Sequence, residues 1–143
     1  MNNRSRSTLF LIEQLIVIAV FALCAAACVR ILTDAYFTTN NSKDKSNALL
    51  VAESGAESFK ASSGDLGMVA RIMGGTSGDV GGSPAAIVYY DAQWKICASE
   101  SSASFVLYLF GGAADYASLR SGDILVQRIS GEELVSFSVL ARS

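Results

Sequence analysis

Glu13 is the only charged residue between Arg6 and Arg30, and it stands in "LFLIEQLIVIAV" with apolar side chains on both sides. A carboxylate in such surroundings is costly unless it reaches water or meets a cation, so its natural chemistry is ion pairing. The other reactive side chains are few. There are 3 cysteines and 0 histidines, which removes the commonest general base and the commonest zinc ligand. Cys24 and Cys28 are four residues apart, on one helical face inside the apolar run, and Cys97 lies far downstream in an expected strand. An odd count so placed is no disulfide framework, and the three read as small apolar packing residues. No carboxylate pair and no cysteine beside a base suggests a shared site, so the expectation is a chain that is not an enzyme, with no metal and no cofactor.

The element that must hold Glu13 is an apolar run over residues 9–29. Leu9, Phe10, Leu11, Ile12, Leu15, Ile16, Val17, Ile18, Val20, Phe21 and Leu23 supply its bulk. As a helix of about 21 residues it would extend roughly 31 Å, the thickness of a bilayer core. Arg4 and Arg6 precede it with no acidic residue before Glu13, so the positive-inside bias holds the N-terminus in the cytoplasm and sends everything after Arg30 outward. The expected placement is a single-pass membrane protein with an extracytoplasmic C-terminal part.

Three readings fit this start. In a cleaved secretory signal, "CAAAC" would supply the small residues of a cleavage site, and in its lipoprotein variant Cys28 would carry the lipid. Glu13 weighs against a discarded signal, because a charge there costs insertion energy for no use. In a plain signal anchor, Glu13 sits about 6 Å into the run and snorkels to the interface. The third reading rests on the pattern itself. "LFLIEQLIVIAV" after a short basic leader resembles the N-terminal signature of type IV prepilins and the pseudopilins of type II secretion systems.

In that family a prepilin peptidase cuts after a leader that ends in Gly, and Glu is the fifth residue of the mature helix. Carried onto this chain, the resemblance places the cut between Thr8 and Leu9, with Thr8 where the family has Gly. It implies that Glu13 pairs with the freed, N-methylated α-amine at Leu9 of a neighbouring subunit, setting axial register in a filament core. The implied partners are other pilin-like subunits, a prepilin peptidase, and indirectly an assembly ATPase and its platform protein. The resemblance covers about the first 35 residues by motif.

Beyond the apolar run, Ile31, Leu32, Ala35 and Tyr36, then Leu49, Ala52, Ala56 and Phe59, keep helical spacing. Residues 38–47 between them form helix poorly, so the helix is expected to loosen there. Asp65 predicts an N-cap, Leu66, Val69, Ile72 and Met73 a short helix, and Gly74 or Gly75 its stop. Residues 75–84 read as a flexible loop. They lack the Gly-Lys-Ser/Thr ending of a phosphate loop, and Gly111-Gly112 reads as a turn.

The remainder predicts an antiparallel meander: a hairpin turning about Asp91 and Ala92, a strand over 105–110, and two strands over 124–129 and 134–141. Val135, Phe137 and Val139 alternate with Leu134, Ser136, Ser138 and Leu140, leaving one apolar face that the helix around Leu49 to Phe59 should cover. Trp94 and the Tyr89-Tyr90 pair read as packing rather than as a ligand platform.

The expected fold is therefore α+β and pilin-like: a long N-terminal helix, half membrane and half amphipathic, packed on a C-terminal antiparallel sheet of about four strands. Its divisions are a basic leader at 1–8, a membrane or filament-core helix at 9–29, an amphipathic continuation at 30–62, a short helix and Gly-rich loop at 63–85, and a β domain at 86–143. Net charge is −2 and the bases form no stripe, so nucleic acid is not an expected partner.

Overall fold

The computed structural model describes residues 3–113 and 118–142, with side chains over 7–112 and 118–142. The order is α1 (Asn3–Ala61), α2 (Leu66–Met73), β1 (Thr76–Val80), β2 (Ser83–Tyr90), β3 (Ile96–Cys97), β4 (Phe105–Ala113), β5 (Leu119–Arg128) and β6 (Glu133–Arg142), with a 3-10 turn at Glu100–Ser102. The chain divides into two compact units, one up to Ser42 and one from Lys43.

The second unit is α+β, with the C-terminal part of the long helix packed on an antiparallel sheet. Ala48, Ala52, Ala56 and Phe59 lie one above another on a single helix face and are buried, together with Leu107, Leu109, Ile124 and Val126 from the sheet. Small residues let the two layers approach. A methyl placed on Gly55 would already touch Leu107 and Leu109 at 3.5 and 3.8 Å, and one on Gly122 would meet the Phe59 ring at 2.9 Å. Replacing Phe59 by Ala would empty the largest side chain of this contact.

The helix stops because Ser63 and Gly64 turn into the left-handed region, φ 51° and 79°, and the Gly64 N–H donates back to Phe59 O at 2.9 Å. Asp65 then caps α2, its carboxylate accepting from Gly67 N at 2.9 Å and Met68 N at 3.2 Å. Val69, Ala70 and Met73 face the core, and Gly74 ends the helix at φ 70°.

The sheet has six strands in the order β1-β2-β4-β5-β6, with β3 beside β2, all pairs antiparallel. About four strands were expected; β1 is the strand in a segment expected to be a loop, and two other local features differ from expectation without adding a strand. Residues 75–84 are not a loop. Val80 pairs with Ser83 across Gly81 and Gly82, φ 61° and 85°, and that primed turn joins β1 to β2. Gly111 and Gly112 are not a turn either; they continue β4, where a Cβ on Gly111 would lie 3.0 Å from Leu66 and one on Gly112 would lie 2.9 Å from the Ser121 hydroxyl. The turn after β2 is wider than Asp91-Ala92. Asp91 accepts from Gln93 N and Lys95 N and holds Trp94 at φ 60°, which leaves only Ile96 and Cys97 to pair.

Two further corrections concern α1. The helix does not loosen over 38–47; it is continuous, with Thr38 and Thr39 hydroxyls donating to the carbonyls of Asp34 and Ala35 one turn back. Its covering face begins at Ala48 rather than Leu49, which is 45% exposed.

Candidate membrane and assembly segment

Every described side chain from Ser7 to Thr39 is exposed. Leu15, Phe21 and Leu23 are 69, 75 and 71% accessible, and the large apolar residues of the expected run from Leu9 onward all stand outward. In water such a surface is strongly unfavourable, at about 25 cal/mol per Å² of apolar area. The segment is long and apolar enough to cross a membrane.

Glu13 lies on this surface, flanked one turn away by Leu9, Phe10, Ile16 and Val17. It has no ion-pair or hydrogen-bond partner among the described residues. A shallow groove lined by Ile16, Val17, Val20, Phe21 and Cys24 starts at the turn that follows the carboxylate. Glu13 thus stands at one end of an apolar seam, and Cys28 continues the line one turn beyond Cys24. Cys24, Cys28 and Cys97 are all free thiols, the first two exposed and the third half-buried with its Sγ 3.8 Å from Ser99 O.

Thr8 and Leu9 lie inside α1, in its second turn, so cleavage of the bond between them would require that turn to open. Arg4 and Arg6 belong to the first turns of the helix, and their side chains fall outside the described residues.

A polar cluster in the second unit was missed by sequence reasoning. Arg128 Nη2 donates to Asp44 Oδ2 at 2.7 Å, Glu132 Oε2 lies 3.2 Å from Arg128 Nε, and the guanidinium sits 5.8 Å from the Phe105 ring centre. Trp94 stacks on the same ring, centroids 4.0 Å apart and planes 16° apart, with Tyr90 at 6.0 Å from Trp94. This clasp fixes Asp44, on the helix, to the end of β5. Its partners are separated by 84 residues, so no local pattern announces it. Tyr90 and Trp94 belong to the packed layer, and burial pushes the Tyr90 phenol up to about 12. Tyr89 lies on the opposite sheet face, where burial first, then Tyr89 and Glu100, raise the Tyr108 phenol.

Comparison with protein families, with characterised proteins and with solved structures returned no match to this chain.

Proposed function

We propose that the chain is a pilin-like or pseudopilin-like structural subunit of an envelope filament or of a secretion or pilus-like system, held in the membrane by residues 9–29 before assembly. The observation that carries this reading is the pairing of an uncovered apolar helix surface with one carboxylate that has no partner among the described residues. In a bundle of such helices the apolar seam would be covered by neighbouring subunits. Glu13 would meet a cation there, the amine at Leu9 of the next subunit if the bond after Thr8 is cut. A buried polar group of this kind costs stability and sets register.

The positive-inside bias of Arg4 and Arg6 supports an N-terminus in the cytoplasm and a sheet domain outside it. Prepilin peptidase, an assembly ATPase and its platform protein are the partners this reading calls for. Intact mass and N-terminal sequencing of protein from its native membrane test it directly. A chain beginning at Leu9 is expected, and one beginning just after Ala27 or lipidated at Cys28 overturns it. Glu13→Ala should lower incorporation into filaments, and unchanged incorporation removes the register role.

Thr8 favours a second reading, since it replaces the Gly of the family's cleavage site and lies in helix. In that reading the uncut run is a signal anchor, or Cys28 a lipid anchor, for an extracytoplasmic binding domain. An intact Met1 in the same sequencing experiment supports the signal anchor.

A further inference from the structure

The two long edges of the sheet are built differently. β1 is five residues long, carries Gly78 and Asp79, and ends in the Gly81-Gly82 turn. β6 is ten residues long and pairs only with β5 among the described residues. Residues 134–141, "LVSFSVLA", contain no charge, no Pro and no Gly. Natural edges are commonly blunted by lysine, proline, bulges or shortness, and an open, uncharged edge is a template for another strand. The core also thins here, since Leu134, Val135 and Phe137 are only partly buried and Leu140 is 56% exposed.

The occupant is indicated by the order of the residues. "LVSFSVL", residues 134–140, reads the same in both directions about Phe137. An antiparallel pairing of β6 with β6 of a second copy, centred on Phe137, puts Leu134 opposite Leu140, Val135 opposite Val139, Ser136 opposite Ser138, and Phe137 opposite itself. Next come Glu133 opposite Ala141 and then, just past the end of the strand, Glu132 of each copy, which is ion-paired with Arg128, opposite Arg142 of the other. From 134 to 140 each position meets its own residue type, and at each end Arg142 is brought towards the carboxylate of the Arg128–Glu132 pair. Directly opposed residues share a face, so Val135, Phe137 and Val139 stay on the helix-covered side of both sheets and the serines stay on the outer side. Sliding the register by two residues sets Ser136 against Leu140, Phe137 against Val139 and Leu134 against Arg142, and keeps only Ser138 opposite itself.

We infer that β6 is a self-pairing edge through which two copies of this chain join into one continuous antiparallel sheet about a twofold axis at Phe137. Such a contact is isologous and closed, so it makes pairs and does not propagate by itself. It uses none of the residues assigned to the membrane segment.

The test is cross-linking of the full chain in detergent micelles, with Cys24, Cys28 and Cys97 replaced by Ala. Ser136→Cys and Ser138→Cys are made as separate variants and oxidised alone and mixed. The mixture is expected to yield several-fold more cross-linked dimer than either variant alone, because position 136 faces position 138. Equal yields in all three samples overturn the register. The doubly substituted Ser136→Lys/Ser138→Lys chain sets lysine against lysine twice on the exposed side. It should dissociate to monomer at concentrations where the parent is dimeric, while keeping the parent's melting temperature. If that substitution unfolds the domain, Arg142→Glu, at an exposed position facing Glu132, serves in its place and should weaken the dimer several-fold. A dimer whose mass is unchanged by either substitution, or a parent chain that stays monomeric in micelles, overturns the proposal.

Discussion

Two stretches of α1 are built on opposite rules. Over residues 9–37 the large residues, leucine, isoleucine, valine and phenylalanine, stand exposed, while over residues 48–59 the buried positions are three alanines, Gly55, Ser58 and one large residue, Phe59. Helical geometry is the same in both, so the contrast lies in what each surface must meet. The sheet accepts the helix only at close range, which small side chains permit, and Phe59 fills the remaining space below Gly122. The large apolar side chains of the first stretch are covered by nothing among the described residues of their unit. Large apolar side chains there suit a lipid phase or other helices, and they gain nothing from water.

The most severe way to break the contrast is to remove one side of it. Deleting residues 9–29 should abolish sedimentation with membranes while leaving the far-ultraviolet signature of the sheet. Retained membrane binding would place the anchoring surface elsewhere. On the other side, Phe59→Ala should destabilise the second unit by about 3–5 kcal/mol, seen as a fall in melting temperature or denaturant midpoint. A smaller loss, about 1–3 kcal/mol, is expected of Ala52→Leu, because a bulky residue welcome at position 15 overpacks at position 52. The same measurement on Leu15→Ala should leave the midpoint of the second unit where it was.

Asp44→Ala sharpens the boundary between the stretches. The Asp44 and Arg128 side chains are about a quarter exposed, so the expected loss is about 1 kcal/mol or less, reduced further by salt. Tyr90 gives the smallest effect at neutral pH and a visible one in alkali. Its phenol is raised by burial to about 12, against an unfolded value of 10.0. Below pH 10 both states keep the proton and stability is undiminished; as pH rises from 10 toward 12 the unfolded state ionises first and stability falls. Tyr90→Phe should flatten that part of the pH profile, and absorbance titration of the parent should show Tyr90 and Tyr108, of the 5 tyrosines, ionising later than a free phenol.

How far the sequence disclosed this arrangement follows the range of the interactions involved. The α+β class, the Asp65 cap, the β4, β5 and β6 strands and the covering role of the helix near Phe59 are written in short-range periodicity and capping chemistry. The β1–β2 hairpin was hidden because glycines that usually mark a loop here serve a two-residue turn and a close approach. Gly75 is an example: a Cβ would lie 2.2 Å from Ile87 O. Leu49 was preferred to Ala48 because hydropathy ranks leucine above alanine, whereas the sheet selects by size. Glu13 was conspicuous in the sequence, for a charge in an apolar run stands out by contrast. The Arg128 clasp was not, since an arginine, an aspartate and two aromatics in four separate segments carry no pattern until the sheet brings them together.

The clasp also imposes an order on folding. Arg128 follows Asp44 by 84 residues, so as the chain is made from its N-terminus the helix is complete long before this clasp can hold it. Until α2 and β4 have been made, Ala48, Ala52 and Ala56 have none of their core partners to cover them. Three methyl groups expose little apolar area while the chain waits, where three leucines would offer a sticky stripe to any neighbour. Alanine at these positions therefore also keeps the exposed apolar area of the incomplete chain small.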